Sequence, residues 1–510
     1  MIEISRNCFL QAQTTSHEKQ RSFEKTGFFY QFLTCALVNV TVLGPSMGFG
    51  YSAVVLPTLK SNTTEGLHVD EQQASWIASA AAIGTPFGCI LSSFVLRRGR
   101  KNTLLITSGT SLISWLIIAF SKTYDQILGG RFLSGIAIGL ASVSATVYAA
   151  EVTSPALRST TLTWTSITIA GGVVIVYTFG YIFQDNWEII ALLCALFPAV
   201  SILLTVAFVP ETPVWLKNHG RSEKAAKVLR KFNGLPKNYP MSPDLEAQLK
   251  PTILMQTKRQ KSILKKLASR KAMEPFIIMV CFFFFQQFSG IFAVIYYAVE
   301  VSRNAGLTIS GYLGAILIGL TRLCGSIALA SVSEKLGRRL PSIVSGIGMT
   351  IFMASLSIYL YLKDCNYSID DGGLIPAVCV IMFIFFSTIG FLTLPFAMIG
   401  EIYPTSVKDI LPGVTTSLGY IFSFIVVKTY ADMSLALGKH GIFCFYAVMS
   451  FFGTLFVIIW LPETKNKSLT EIENLFGSKK KDKISVMTIT NGRHDKEAMI
   501  PLKDVTKNCA

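Results

Sequence analysis

The sequence has 510 residues, of which 51% are hydrophobic and 15% are charged, and its mean hydropathy is +0.50. Soluble proteins carry about 25% charged residues, so this composition excludes a string of soluble domains and predicts a polytopic membrane protein. The formal net charge of +16 could indicate a nucleic-acid partner. However, the basic residues cluster in short segments between long uncharged runs, as in membrane proteins. We therefore expect the partner of the protein to be a lipid bilayer and not a nucleic acid.

Twelve apolar runs of membrane-spanning length follow one another along the chain. Six begin near Gly27, Ala74, Asn102, Leu128, Thr160 and Trp187, and six more begin near Ala272, Ser310, Pro341, Leu374, Pro412 and Gly441. The pattern predicts an all-α membrane protein whose twelve transmembrane helices form two six-helix lobes. We divide the chain into an N-terminal segment (1–26), a first lobe (27–210), a helical linker (211–271), a second lobe (272–461) and a tail (462–510).

The loops between these runs predict the orientation. The loops 97–101 and 334–339 and the linker are rich in Lys and Arg, whereas the first loop on the other side carries Glu65, Asp70 and Glu71. Basic loops stay in the cytosol. We therefore expect a multi-pass protein of the cell membrane with both termini in the cytosol, functional as a monomer.

Two glycosylation sequons agree with this orientation. Asn62-Thr63-Thr64 and Asn366-Tyr367-Ser368 both fall in loops predicted to lie outside, where N-glycosylation takes place. Asn466-Lys467-Ser468 falls in the predicted cytosolic tail. We expect glycans on Asn62 and Asn366 and none on Asn466.

The two halves of the chain repeat three motifs in the same order, spaced by about 240–250 residues. Gly99-Arg100-Lys101 recurs as Gly337-Arg338-Arg339. Glu151 with Arg158 recurs as Glu401 with Lys408, and Pro210-Glu211-Thr212 recurs as Pro462-Glu463-Thr464. Since each half has an even number of spans, the repeats run parallel across the membrane, as in a two-lobed transporter with its substrate site between the lobes.

The repeated motifs place carboxylates beside basic groups at the predicted cytosolic ends of the spans. Such pairs can lock the two lobes together on the inner side and must break for that side to open. The alternative is that the charges only anchor helix ends. The predicted cytosolic gate comprises Arg97, Arg100, Glu151, Arg158, Glu211, Glu334, Arg338, Arg339, Glu401, Lys408 and Glu463.

Over residues 28–476 the chain resembles the sugar porter family of the major facilitator superfamily. The resemblance rests on a run of motifs: Gly130-Arg131-Phe132, Tyr148-Ala149-Ala150-Glu151, Pro210-Glu211-Thr212-Pro213, Gln286-Gln287-Phe288-Ser289-Gly290, Tyr296-Tyr297 and Pro462-Glu463-Thr464-Lys465. It implies the major facilitator fold and sugar transport by alternating access. Among the branches of the family, the chain is similar to the insect facilitated trehalose transporters.

The resemblance implies that Gln286 and Gln287 hydrogen-bond sugar hydroxyls. Amide groups both donate and accept, as a polyol requires, and they are cheaper to bury than a charge. The alternative is that the two amides form hydrogen bonds between helices. Tyr296 and Tyr297 resemble the gating tyrosines of the family, with aromatic packing as their alternative role.

The chain departs from the family at several expected sugar contacts. Ser166 replaces a glutamine, Phe292 and Arg322 replace asparagines, and Phe396 replaces a tryptophan. Tyr420 and Ser423 replace a tryptophan and an asparagine, and Thr388 stands where glucose carriers often have glutamate. These departures leave the identity of the substrate open. The predicted substrate-binding set is Gln286, Gln287, Phe292, Tyr296, Tyr297, Arg322, Ser166, Thr388, Phe396, Tyr420 and Ser423.

Arg322 lies about midway along an apolar run, where a charge costs at least ~2.5–3.5 kcal/mol. No Asp or Glu occurs at a comparable depth in any predicted span. Either Arg322 lines a water-filled cavity and contacts substrate oxygens or an anion, or it caps backbone carbonyls as a structural residue.

The sequence also bears on the driving force for transport. Proton-coupled members of the family carry an aspartate after Gly-Tyr in the first span, whereas here Ser52 follows Gly50-Tyr51. The sequence thus predicts a facilitative uniporter that moves a hexose or a disaccharide such as trehalose. The alternatives are a carrier of anionic organic solutes and a non-transporting nutrient sensor. No catalytic or metal-ligand constellation is evident, so we expect no enzyme, no cofactor and no metal site.

Overall fold

The structure is a computed structural model that describes residues 2–61, 67–184, 186–236, 267, 269–305, 310–365, 367, 372–404, 407, 410–465, 471 and 476. Within its helices, the side chains of residues 2–22, 24, 155–160, 162 and 332–335 are not described. The described residues are mainly helical, because apolar segments in a bilayer must satisfy their backbone groups internally.

The first half of the chain forms six long helices. They are α1 (Ile2–Lys60), α2 (Glu71–Val95), α3 (Arg100–Ala119), α4 (Tyr124–Val152), α5 (Pro155–Ile182) and α6 (Trp187–Phe208), with a short 3-10 turn at Leu96–Arg98 before α3. Two short helices follow in the predicted linker, α7 (Pro213–Asn218) and α8 (Ser222–Phe232). Most of the rest of the predicted linker lies outside the described residues.

The second half forms α9 (Arg270–Phe288), α10 (Ile291–Tyr296), α11 (Ala298–Asn304), α12 (Gly311–Leu336), α13 (Arg339–Asp364), α14 (Leu374–Ile389), α15 (Leu394–Ile402) and α16 (Leu411–Trp460). Eleven helical segments of the described chain are long and apolar enough to cross a membrane, with α14 and α15 counted together as Leu374–Ile402. One of them, α16, has 50 residues and is interrupted at Gly438, whose φ of 71° and ψ of 174° are not helical, so it contains two spans. The prediction of an all-α protein with twelve spans is confirmed.

Two spans of the second half are broken. The seventh span consists of α9, α10 and α11, with its first break at Gly290, where φ is +84° and the Tyr446 ring lies 2.4 Å from the position of a Cβ atom. The tenth span consists of α14 and α15, separated by residues 390–393. Broken spans leave backbone carbonyls free for side-chain partners. Hydropathy along the sequence does not predict these breaks.

Close helix packing fixes the position of α4 in the first lobe. A Cβ atom at Gly135 of α4 would lie 2.1 Å from the Ala81 carbonyl oxygen of α2, and one at Gly84 of α2 would lie 2.3 Å from the Phe132 carbonyl oxygen. Small residues allow helices to approach this closely in membranes. This packing holds Arg131, one residue before Phe132, in the interior.

The lobes meet through α1, α2 and α5 of the first half and α10, α12 and α16 of the second. The Phe49 ring of α1 lies 6.0 Å from the Phe292 ring and 6.1 Å from the Tyr296 ring, both on α10. Gly319 of α12 packs against the Tyr177 ring of α5 at 3.1 Å from its ideal Cβ position. The polar groups described next lie around this junction.

Candidate functional site

Arg131 of α4 is fully buried and its guanidinium is satisfied by neutral acceptors. Nη1 donates to the Gly48 carbonyl at 2.9 Å, Nη2 donates to the Ser52 hydroxyl at 2.6 Å, and Nε donates to the Ile77 carbonyl at 3.3 Å. These partners belong to α1 and α2. Arg131 therefore ties three helices of the first half together without a carboxylate.

Arg322 of α12 is also buried, with 6% of its surface exposed, but its bonding is different. Its Nη1 has no hydrogen-bond partner, and none of the hydrogen bonds among the described residues involves its side chain. Three tyrosines lie close enough to interact with its charge: Tyr177 of α5, Tyr296 of α10 and Tyr420 of α16. Arg322 is thus a buried, unpaired cation where the two halves meet.

The two predicted sugar-binding amides have different partners. Gln286 donates from Nε2 to the Leu392 carbonyl at 2.8 Å, a carbonyl set free by the break in the tenth span. Gln287 makes only a long 3.4 Å contact from its Nε2 to Oε1 of Gln286, and its own Oε1 is buried without a partner. Gln286 therefore forms the interhelical bond that was the alternative prediction, whereas Gln287 keeps its acceptor free.

The two adjacent tyrosines of the seventh span also differ. Tyr297 stacks on Tyr430 with ring centroids 4.5 Å apart and donates to the Val427 carbonyl at 3.2 Å, so it packs within the second half. Tyr296 instead faces α1 and lies within electrostatic reach of both buried arginines. The Tyr177 hydroxyl donates to the Ile295 carbonyl at 2.6 Å and so joins α5 to the seventh span.

The remaining predicted substrate contacts are distributed around this junction. Thr388 is buried, donates to the Ile384 carbonyl of its own helix at 2.8 Å and packs against Gly325. Phe396 lies between Phe283 and Tyr420, with ring centroids 5.0 and 6.0 Å away. The Ser423 hydroxyl is buried without a partner, and Ser166 of α5 is half-buried.

Two lysines join the halves at the membrane face opposite the basic loops. Nζ of Lys60 lies 2.6 Å from the Glu71 carboxylate and 3.6 Å from that of Glu300 on α11. Nζ of Lys428 on α16 donates to the Ser75 hydroxyl of α2 at 2.5 Å. We call these contacts the lysine gate. The lysine gate was not predicted from the sequence, although Lys428 interrupts an apolar run and could have indicated it.

Lys428 makes two more contacts to α2. Its Nζ donates to Gln72 Oε1 at 3.3 Å and lies 4.8 Å from the centroid of the Trp76 ring. One ammonium group therefore binds a hydroxyl, an amide and an aromatic face on the partner lobe. Such a combination closes the lobes on this face.

The basic face carries a charged network within the first half. Nη2 of Arg100 lies 2.5 Å from the Glu151 carboxylate, which also accepts from the Thr212 hydroxyl at 2.6 Å. Glu211 accepts from the backbone N–H of Arg100 at 2.8 Å and from that of Lys101 at 3.2 Å. A carboxylate at this position caps the N-terminus of α3 and complements its dipole.

The second half repeats this network. Arg338 pairs with Glu401 at 2.8 Å, the Thr464 hydroxyl donates to Glu401 at 2.8 Å, and Glu463 accepts from the backbone N–H groups of Arg338 and Arg339 at 3.0 Å. Burial raises the pKa of Glu463, but its backbone hydrogen bonds outweigh burial and hold that pKa below its usual value. Arg339 also donates to the Ile458 carbonyl.

Two glycines allow the capping carboxylates to approach. Gly99 has a φ of +128°, and a Cβ atom there would lie 2.6 Å from an oxygen of Glu211. Gly337 has a φ of +79°, and its Cβ atom would lie 2.7 Å from an oxygen of Glu463. Both positions need glycine for its backbone freedom and for the missing side chain.

The described pairs of the predicted cytosolic gate do not cross between the lobes. Arg100 and Glu151 lie on α3 and α4, whereas Arg338 immediately precedes α13 and Glu401 lies on α15, so each pair holds one half together. The Arg97 carbonyl accepts from the Trp215 indole at 3.1 Å. The described pairs therefore do not form the lock between lobes that was predicted on the cytosolic side, and the lysine gate joins the lobes on the opposite face instead. Lys408 and the sequon residues Asn62 and Asn366 lie outside the described residues, as do the side chains of Arg158 and Glu334.

Comparison with known proteins places the chain among transporters. The profile of the family described as sugar (and other) transporter matches residues 6–476. The facilitated trehalose transporter Tret1 of Polypedilum vanderplanki is 31% identical over 447 residues, which cover 87% of this chain and 88% of that protein. The facilitated trehalose transporter Tret1-2 homolog of Drosophila sechellia is 31% identical over 452 residues, covering 88% and 91% of the two chains.

Solved structures share the fold. The inward-open xylose transporter XylE from E. coli superimposes with a TM-score of 0.71 at 20% identity, covering 87% of this chain and 99% of that one. The proton:xylose symporter XylE bound to 6-bromo-6-deoxy-D-glucose gives a TM-score of 0.69 at 21% identity, covering 88% and 100%. Both are major facilitator proteins. The predicted major facilitator fold is confirmed.

Proposed function

Because the chain belongs to the sugar (and other) transporter family, we propose that it carries a hexose or a disaccharide such as trehalose down its concentration gradient. It is a multi-pass membrane protein and a transporter, not an enzyme. The similar trehalose transporters support the choice of sugar. The two halves act as rigid lobes that expose one central site alternately to each side of the membrane.

Alternating access is supported by where the polar contacts lie. The lysine gate joins the two lobes on one face, through Lys60 with Glu300 and Lys428 with Ser75. The charged networks on the other face hold each lobe together within itself. Opening the first face costs the gate contacts, whereas the networks can persist in both states. The gate therefore biases a two-state equilibrium.

Uniport, rather than proton-coupled transport, is supported by the hydrogen bonds of Arg131. All three of its hydrogen bonds go to neutral oxygens, including that of Ser52. The buried residues of the described chain include no Asp or Glu. A proton-driven cycle needs a group that binds and releases a proton during transport, and a carboxylate is the usual choice. Without one in the described interior, the sugar gradient is the driving force.

Gln287 binds the sugar directly, whereas Gln286 holds the seventh span, on which Gln287 lies, in position. The free Oε1 of Gln287 accepts a hydrogen bond from a sugar hydroxyl, because a buried acceptor without a partner is costly and a ligand can satisfy it. Gln286 is engaged with Leu392 and so holds the seventh span against the break in the tenth span. The Ser423 hydroxyl offers a second unpaired group on α16.

Uptake of labelled trehalose and glucose into cells that express the chain tests the proposal. Each assay is run with and without a protonophore, beside Gln287→Ala and the matched exposed-amide control Gln184→Ala. We expect saturable uptake that the protonophore does not change, that falls in Gln287→Ala and that persists in Gln184→Ala. Surface-localised protein that takes up neither sugar contradicts the function, and protonophore-sensitive uptake contradicts uniport alone.

The orientation and location follow from the distribution of charge. The protein acts as a monomer in the cell membrane with both termini in the cytosol, and the basic face is the cytosolic face. Asn62 and Asn366 then carry N-linked glycans on the outer side. A mobility shift after glycosidase treatment that disappears in Asn62→Gln with Asn366→Gln supports this. An Asn466→Gln change that removes the shift contradicts it.

A further inference from the structure

Two arginines lie in the interior of the described chain, and only one of them has hydrogen-bond partners for its side chain. Arg131 donates three hydrogen bonds to neutral acceptors on α1 and α2. Arg322 donates none to the described residues, and its Nη1 is buried and unpaired. Guanidinium groups have five N–H donors. Most buried polar atoms in proteins have a hydrogen-bond partner, and leaving a charged donor unpaired is especially costly, so Nη1 of Arg322 calls for a partner.

The charge balance of the interior identifies the sign of that partner. Arg131 and Arg322 are the buried charged residues of the described chain, and both are positive. No carboxylate offsets them there. Neutral oxygens hold the guanidinium of Arg131, but a neutral sugar at Arg322 would leave the described interior with two uncompensated positive charges. An anionic group satisfies the donors and the charge together.

The surroundings of Arg322 place this partner in the transport path. The phenols near its guanidinium come from three different spans: Tyr177 of α5, Tyr296 of the seventh span and Tyr420 of α16. The first belongs to one half of the chain and the others belong to the second half. A ligand at Arg322 therefore lies where the two lobes meet, as a transported solute must.

A purely structural role fits the contacts less well. An arginine that caps a broken helix donates to carbonyl oxygens, as Arg131 does to Gly48 and Ile77. Arg322 makes no such bond within the described chain. The carbonyl of Leu392 at the tenth-span break is taken by Gln286. Arg322 is therefore oriented as a binding group.

We propose that Arg322 binds a small anionic group in the sugar site: a carboxylate carried by the sugar itself, as in a hexuronate, or a free monovalent anion that accompanies a neutral sugar. The guanidinium fork matches a carboxylate in geometry and charge. This inference rests on the proposed function, since it names the chemistry of the same central site. It makes Arg322 the residue that determines specificity among sugars of different charge.

Thermal unfolding of the purified full-length protein in detergent tests binding separately from transport. At constant ionic strength, glucuronate, glucose and chloride are titrated in turn, with a bulky organic sulfonate as the replacement anion. The variants are Arg322→Asn and Arg322→Lys. Arg98→Gln is the matched control, because it removes one arginine charge at an exposed position of the basic face. Uptake of labelled glucose and glucuronate is measured in parallel.

We expect glucuronate to raise the unfolding temperature of the wild type and of Arg98→Gln. Half-saturation should need about 10- to 100-fold more glucuronate in Arg322→Asn, the range for losing a charge-assisted hydrogen bond. Arg322→Lys should retain part of the effect. Chloride that stabilises the wild type but not Arg322→Asn, with glucuronate inactive, identifies a free anion as the source.

The proposal is overturned if neither anion stabilises the wild type more than the sulfonate does. It is also overturned if Arg322→Asn responds as the wild type does. Arg322→Lys and the comparison of anions on the wild type keep the test decisive should Arg322→Asn fail to fold. Absence of uptake of every sugar, with anion binding intact, contradicts the proposed function and leaves the anion site standing.

Discussion

Nη2 of Arg131 lies 2.6 Å from the hydroxyl oxygen of Ser52, so the buried arginine of α4 is held by a group that does not titrate. We predict that Ser52→Asp makes transport pH-dependent. A carboxylate there would pair with Arg131 when ionised and tie α1 to α4, so uptake should rise as the pH falls and the carboxyl group is protonated. Loss of one such pair corresponds to about tenfold in rate.

Uptake of labelled sugar from about pH 3.5 to pH 8, a range that includes the ordinary aspartate pKa, measures this effect. The wild type and Ser52→Ala should show flat profiles, because neither has a titrating group at this position. An equally flat profile for Ser52→Asp would show that the contact between Arg131 and residue 52 does not change during the cycle.

The two adjacent glutamines should give different kinetic defects. Gln287→Leu removes a free acceptor and should raise KM by about tenfold with little change in the unfolding temperature. Gln286→Leu leaves the Leu392 carbonyl without a donor and should destabilise the protein by about 1–3 kcal/mol. Initial uptake rates and thermal unfolding in detergent separate the two. Equal effects of both changes on KM and stability would contradict the division of roles.

The apolar runs predicted the spans well because a bilayer demands long apolar helices and little else. Arg322 was likewise visible as a charge in an apolar run, and so its conflict with the membrane could be predicted. The break at Gly290 could not be predicted, because hydropathy indicates burial in lipid and contains no information on backbone angles inside an apolar stretch. The role of Gln286 depends on the break in the tenth span and was hidden for the same reason.

The lysine gate was missed for another physical reason. Lys428 and Ser75 are 353 residues apart, and their contact exists only because α2 and α16 meet in three dimensions. The repeated motifs instead led to the prediction of a contact between the lobes on the basic face, since paired charges in both halves suggest a bond between halves. The fold instead brings Arg100 to Glu151 within one half, where neighbouring helices end at the same face.

Removing the ammonium group of Lys428 should open the face that the gate closes. Lys428→Met loses the bonds to Ser75 and Gln72, which should shift the equilibrium towards opening by about tenfold. Spin labels at His68 and Leu435, in a cysteine-depleted background, report the distance between the lobes on this face. We expect a larger population of long distances.

Lys439→Met is the control for this change, because Lys439 is an exposed lysine next to the Gly438 break and makes no ion pair within the described chain. It removes the same charge and should leave the distance distribution unchanged. A distribution in Lys428→Met that matches the wild type would show that packing alone closes this face.

Alanine at either loop glycine should destabilise the network it serves. At Gly99 and Gly337, φ is +128° and +79°, and a Cβ atom would displace the capping carboxylate. Backbone strain of this kind costs about 1–3 kcal/mol. Gly109→Ala is the control, since nothing lies within 4 Å of its ideal Cβ position. Thermal unfolding should rank Gly99→Ala and Gly337→Ala below the wild type and Gly109→Ala level with it or above it, because alanine is the better helix former inside α3.

We predict that the stability of the second half falls at low pH because Glu463 becomes protonated. Its pKa is lowered in the folded protein, because backbone N–H bonds to the carboxylate outweigh the effect of burial. A lowered pKa means that the folded state binds the proton more weakly than the unfolded chain does. The stabilisation is therefore complete above the ordinary glutamate pKa and is lost as the pH falls through the folded value.

Glu463→Gln should be less stable near neutral pH and should lack this part of the acid dependence. Unfolding temperatures measured from about pH 3 to pH 7 decide the matter: parallel profiles for Glu463→Gln and the wild type would assign the acid sensitivity to other carboxylates.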